Sequence, residues 1–438
     1  MEHILPNYSM PWFHGLLSVV LITVGICVII ELFQIRGKAF QCLLAAVVIS
    51  FPSEIGTMLY MFTSSSYAVA FLMAVLSVYL FEHGDLFRKL LACVCLVFSC
   101  SIYQAYVAVA ASFFVILAIQ HIMSSGGGTT VHEMRNGVKY IAFLAISLLA
   151  YYAITHLLLL KAGEELNGWA LRAISGPNSI GYRLYRTWIL FIAMIVKKAY
   201  GLVPNTLSLV AHSLFVCSAG VSYVYLTFRK RPWGKKLLLL LLLGVAFPLS
   251  VNCLVLLLGE NGIHGLTLYS FISVYILAIV VFEQLPMGIA NNIGKDICTF
   301  GLVFIVGCNI VTANKSYLKQ YLVYENTVSF YQSIITQVQM TKDFSEGTKL
   351  AVIGTPDARK NYLDGFGEDT VYGMGGYTGG SISDYFISFY LGADVEFATE
   401  EEKNSLRKDE RFLAMTEYPY NGYVEKIDDY IVVKLGSN

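Results

Sequence analysis

RKRPWGKKLLLLLLLGVAFPLSVNCLVLLL, residues 229–258, sets five basic side chains directly before an apolar run from 237 to 258. About 20 apolar residues in a helix cross the hydrocarbon core of a bilayer, so this run is long enough to span. Working outward, similar runs occupy 13–33, 39–62, 67–81, 87–101, 103–123, 140–160, 207–228, 267–282 and 297–311. Ten spans are therefore predicted between 13 and 312. Only 14% of the 438 residues are charged, and the mean hydropathy is +0.62; a soluble domain of this length carries about 25% charged residues.

The basic residues orient the bundle. Arg36 and Lys38, Arg88 and Lys89, Arg135 and Lys139, and the block 229–236 all belong on the cytoplasmic side by the positive-inside rule. They fall on one side if the amino terminus is outside and the segment 188–203 does not cross. Lys197 and Lys198 interrupt that segment and Pro204 ends it, so it is expected to lie at the interface. Ten crossings from outside put the carboxyl terminus outside as well.

The composition changes after the last run. Residues 347–438 carry 16 acidic and 9 basic side chains, and the rest of the chain 14 and 21. An acidic tail repels a phosphate backbone, which argues against nucleic acid as its partner. The four predicted regions are a short outer segment (1–12), the helical bundle (13–312), an amphipathic connecting helix (313–346) and a small extracytoplasmic α/β or α+β domain (347–438). Strand-like runs at 349–354, 423–427 and 430–435, and helix-like runs at 381–391 and 399–411, carry the last assignment. All nine cysteines lie in apolar segments and none in the tail, so no disulfide framework, metal site or cofactor site is read. No basic residue precedes the first apolar run, and a cleaved signal peptide is not expected.

Ionisable groups inside the apolar runs carry the functional information. Glu54 follows Phe51, Pro52 and Ser53 in the second run, where Pro52 should kink the helix and free a backbone carbonyl. It reads either as an outward-opening base or as a structural hydrogen-bond partner. The outer segment before and within 188–203 holds Arg183, Arg186, Lys197 and Lys198, which suit a lipid-linked phosphate or plain headgroup contact. Tyr60, Tyr67, Tyr103, Gln104, Glu260 and His264 fall in outer turns and are candidates for sugar or acceptor binding. The glycines from Gly373 to Gly380 lack a following Gly-Lys-Ser/Thr and read as a flexible turn.

Several strings resemble the integral-membrane glucosyltransferases of the bacterial serotype-converting type, the glucosyl transferase II family that modifies O-antigens. They are Pro-Asn-Tyr-Ser-Met-Pro-Trp at 6–12, Ser-Phe-Pro-Ser with Tyr-Met-Phe-Thr within 50–63, Ser-Tyr-Ala-Val-Ala at 66–70, Ile-Tyr-Gln-Ala-Tyr at 102–106 and Ile-Val-Val-Lys-Leu at 431–435. The resemblance implies a mainly α, GT-C-like polytopic bundle in the bacterial cytoplasmic membrane. It further implies a polyprenyl-phosphate-linked glucose donor, a cell-surface polysaccharide acceptor and transfer on the outer face. GT-C-like enzymes generally place an acidic motif in a first outer loop after an initial span. That motif has no counterpart before Phe13, so the chain is expected to lack the first span and loop, with Glu54 as the substitute base. A lipid-linked sugar flippase and an inactive glycan-binding partner remain as the alternative classes.

Overall fold

The computed structural model describes residues 10–124, 130–164, 179–198, 202–203, 205–229, 234–259, 263–285, 289–342, 344–345, 349–355, 384 and 386–436. The chain divides into two compact units, the first running to Asn314 and the second starting at Lys315. The first is a mainly α polytopic bundle and the second carries a small sheet.

In the first unit the helices are α1 (Pro11–Leu32), α2 (Lys38–Ser50), α3 (Pro52–Met58), α4 (Met61–His83), α5 (Leu86–Ile102), α6 (Val107–Ser124), α7 (Thr130–Ala162), α8 (Ile180–Val196), α9 (Thr206–Arg229), α10 (Lys235–Val251), α11 (Cys253–Leu258), α12 (Ile272–Glu283) and the first part of α13 (Ile289–Met340). A 3₁₀ turn, Gln104–Tyr106, leads into α6, and a longer 3₁₀ segment, Gly265–Phe271, leads into α12. Among the described residues seven helices are long and apolar enough to cross a membrane, and α2 with α3 makes an eighth if the bent pair is one span. The two other expected spans fall on α5 and α10, each 17 residues long, the latter continued by α11 after a break at Asn252.

α6 and α12 are the inner helices, with most of their side chains buried, whereas α7 and α9 are largely exposed. α1 lies along α4, and α4 along α5. The T-shaped pair Phe33 and Phe113, with ring centroids 5.3 Å apart, joins the end of α1 to α6. Apolar surface turned outward from such a bundle is what lipid requires. The entrance to α2 is sealed from α12: the Glu283 carboxylate accepts from the Gly37 amide at 2.7 Å and the Arg36 amide at 3.0 Å.

The last span and the connecting helix, expected as separate elements, form one uninterrupted 52-residue helix. No glycine or proline occurs between Cys308 and Met340, so nothing in the sequence ends the helix where its apolar character does.

In the second unit the sheet has the order β2-β1-β4-β3, with β1 (Lys349–Ile353), β2 (Glu396–Phe397), β3 (Val424–Ile427) and β4 (Tyr430–Lys434). β1 runs parallel to both β2 and β4, while β3 and β4 form an antiparallel hairpin. Tyr331, Ile334, Ile335 and Val338 of α13 bury one sheet face together with Leu350, Val352, Ile431 and Val433. The opposite face packs Ala351, Ile353 and Val432 on Leu406 of α14 (Glu400–Leu406) and Phe412 of α15 (Glu410–Ala414). Thus Tyr331 and Ile335 of the predicted amphipathic helix meet the sheet, while its Tyr317, Tyr321 and Tyr324 are exposed. The helix-like run 399–411 is split into α14 and α15. Of 381–391, Asp384, a five-residue π turn, Phe386–Tyr390, and Leu391 are described, and the glycines 373–380 lie outside the described residues.

Glu402 ties this unit together. Its carboxylate accepts from the Thr399 amide at 2.7 Å, from Lys349 Nζ on β1 at 2.9 Å and from Tyr430 Oη on β4 at 2.8 Å. The Thr399 amide first, then Lys349 and Tyr430, hold the carboxyl down at about 2. An unfolded glutamate titrates near ~4.3. The stabilisation is therefore complete above that value and is lost as pH falls through about 2. Hydrogen exchange, corrected for intrinsic rate, should show β1 and β4 amides losing protection over that interval, and Glu402→Gln should flatten this dependence.

Candidate active site

Residues preceding proline are pushed out of the α region, and Phe51 accordingly takes an extended conformation with ψ 135° between α2 and α3. The two helices meet at a 50° bend. Pro52 opens α3 and needs no amide partner there. From Pro52 to Thr57 every residue of α3 is buried, so Glu54, at 4% exposure, sits inside the bundle.

A backbone carbonyl and a side chain of the 3₁₀ segment 265–271 face this turn. Ser53 Oγ donates to the Gly265 carbonyl, and the Tyr269 hydroxyl lies within interaction range of the Glu54 carboxylate. Tyr106, likewise buried, lies within electrostatic reach of Glu54, with Tyr103 and Tyr67 beyond it. The rings form a continuous run of T-shaped contacts: Tyr67 to Tyr103 at 4.9 Å, Tyr103 to Tyr106 at 5.8 Å and Tyr106 to Tyr269 at 5.9 Å. Phe71 backs Tyr269 at 5.0 Å. The run starts from the half-buried Tyr67 and Tyr103 and ends at the buried carboxylate. Aromatic faces with hydroxyl tips are the surface on which a sugar ring stacks and bonds.

The structure brings Glu54, Tyr67 and Tyr103 into one cluster and adds Tyr106 and Tyr269. Tyr60 precedes α4, just after α3. Gln104 Nε2 donates instead to Tyr151 Oη on α7 at 2.6 Å. His264 caps the 3₁₀ segment that carries Tyr269, exchanging bonds with Thr267, and burial pushes its imidazole below the ordinary histidine value. Glu260 lies outside the described residues.

The four basic candidates do not converge. Arg183 and Arg186 belong to the first turns of α8, whereas Lys197 and Lys198 follow its last residue. Fourteen residues of helix separate Arg183 from Lys197, about 21 Å along the axis, too far for one phosphate. Arg183 Nη1 donates to the carbonyls of Leu257 at 3.0 Å and Leu256 at 3.4 Å, at the end of α11. A cation there also suits the negative end of the helix dipole. Leu257 precedes Gly265, the start of the 3₁₀ segment, by eight residues in the chain.

The family described as Glucosyl transferase GtrII matches residues 1–282. The chain belongs to this glucosyltransferase family. The matched residues include α3, the tyrosine run and the 3₁₀ segment, and stop just before the end of α12. No curated protein and no solved structure matches the chain. Membership in the GtrII family makes glycosyl transfer the class of activity, ahead of the transport and binding classes that the apolar runs alone left open.

In this GtrII chain Arg183→Met would leave two carbonyls at the end of α11 without their charged donor. The expected loss is about 1–3 kcal/mol, read as a lower thermal midpoint in detergent. An unchanged midpoint would show that Arg183 does not support α11.

Proposed function

We propose that this protein transfers glucose from a polyprenyl-phosphate-linked donor to a cell-surface polysaccharide of the O-antigen type, with Glu54 as general base. The reaction takes place at the outer face of the bacterial cytoplasmic membrane. The observation that carries this reading is the buried Glu54 carboxylate at a proline-broken helix, at the end of a run of tyrosines, within the family-matched residues.

The chemistry balances without a nucleophile on the protein. Glu54 takes the proton of an acceptor hydroxyl as that oxygen bonds to the sugar C1. The C1–O bond to the phosphate breaks, and its electron pair leaves on the lipid phosphate. Arg183 and Arg186, in the first turns of α8, would hold the departing phosphate. Lys197 and Lys198, at the far end of that helix, are then headgroup contacts. Tyr67, Tyr103 and Tyr106 are the sugar-facing surface, with the acceptor reaching Glu54 from the same side.

Labelled glucose offered on polyprenyl phosphate to membranes carrying this chain should appear in glycan. Glu54→Gln should lower transfer by about 10²- to 10⁴-fold, the usual worth of a general base, without changing insertion. Transfer at the wild-type rate would exclude Glu54 as the base.

Charge counting supports an outer position for the second unit. Ser405→Cys, on the exposed side of α14, should react with a membrane-impermeant maleimide in intact cells or spheroplasts. Labelling only after lysis would reverse this orientation.

A further inference from the structure

Pro52 withdraws one backbone donor, and the loss falls on an identifiable carbonyl. In an unbroken helix the amide of residue 52 would donate to Val48. Tyr269 Oη donates to that Val48 oxygen at 3.3 Å, and the same hydroxyl lies within interaction range of the Glu54 carboxylate on the other side of the break. Tyr269 therefore spans the bend, within reach of the orphaned carbonyl of α2 and the carboxylate of α3.

One hydroxyl has a single proton and two lone pairs. It cannot donate fully to both acceptors at once. With Glu54 ionised, the charge-assisted bond to the carboxylate is the stronger, and 3.3 Å is long for an O–H···O bond, as befits a secondary acceptor. With Glu54 protonated, the carboxylic acid donates to the tyrosine oxygen, and the tyrosine proton turns to Val48. Only the protonated state gives the Val48 carbonyl a full donor while keeping the carboxyl bonded to the tyrosine oxygen.

We propose that Tyr269 is the positioning residue for Glu54: its hydroxyl aims the ionised carboxylate at the acceptor hydroxyl and turns to the Val48 carbonyl once Glu54 has taken the proton. This rests on Glu54 being the base. Tyr269 keeps its own proton throughout, so no further acid or base is needed. The ring is already fixed by Phe51, Phe71 and Tyr106, with centroids 6.0, 5.0 and 5.9 Å away, so the hydroxyl is the part free to change partners.

Tyr269→Phe keeps those ring contacts and removes the hydroxyl. With polyprenyl-phosphate glucose as donor, kcat should fall about 10- to 100-fold while KM for the donor stays constant, because an interaction made only during proton transfer is lost. The Glu54 carboxyl band, assigned by ¹³C-glutamate labelling as the infrared band that Glu54→Gln abolishes, should move. Pro52→Ala returns an amide to Val48, and the double variant Pro52→Ala/Tyr269→Phe should recover neither kcat nor band position. A kcat within about twofold of wild type, an unmoved band, or recovery in the double variant would each overturn the proposal. If the single variant does not insert, both readouts are taken against Pro52→Ala alone. Should Glu54→Gln stay active, the base assignment falls, while the infrared band still reports whether Tyr269 holds the carboxyl.

Discussion

A carbonyl released inside a membrane bundle has no water to turn to, and each one left unbonded costs several kcal/mol. The first unit breaks its helices repeatedly, so the placement of substitute donors governs how the bundle packs. Val48, deprived by Pro52, faces Tyr269. Val251, at the end of α10, accepts from Ser270 Oγ at 2.6 Å. Leu256 and Leu257 accept from Arg183, and Phe33, after α1, accepts from Gln120 Nε2 at 2.7 Å. At the opposite polarity, Glu283 takes the amides at the start of α2.

Two of these repairs come from adjacent residues of one short segment. A 3₁₀ helix turns once in three residues, so Tyr269 and Ser270 point about a third of a turn apart and reach two different helices. Ser53 Oγ on Gly265 fixes the start of the same segment. The 265–271 stretch thus serves as a brace between the α2–α3 break and the α10–α11 break. A carboxylate placed at the first of them inherits a partner that already had a backbone duty.

These devices were unequally legible. Pro52 and Glu54 stand two residues apart, and the kink, the freed carbonyl and the buried acid follow from local rules. Tyr269 lies more than 200 residues away, in a run where tyrosine reads as an ordinary interface residue; only the tertiary contact gives it a role. Its trace in the sequence was slight: a tyrosine well inside an apolar run needs a hydroxyl partner. The basic residues at 183–198 looked like one cluster because linear proximity ignores the 1.5 Å rise of a helix. β2 escaped notice because two residues cannot show an alternation. The long α13 was divided at its change of composition, although backbone continuity depends on glycine and proline rather than on polarity.

The proposal that Glu54 is the base is also supported by what the other carboxylates of the first unit do. Glu283 caps α2, and Asp85 caps α5 by accepting from the Arg88 amide at 3.0 Å. Glu82 accepts from Tyr140 Oη at 2.7 Å and lies 3.6 Å from His121. Glu133 pairs with His132 at 3.8 Å, while Glu31, Glu164 and Asp296 are exposed. Each of these is occupied by a structural contact or is open to the surroundings. Glu54 is the most deeply buried carboxylate of this unit among the described residues, and the polar group within its reach is a hydroxyl that can both give and accept. A group needed only for structure is better served by a neutral amide, which carries the same bonds without a charge to desolvate. Retaining an ionisable acid there makes sense where a proton must be taken up and released, which is the step that transfer to a sugar hydroxyl requires.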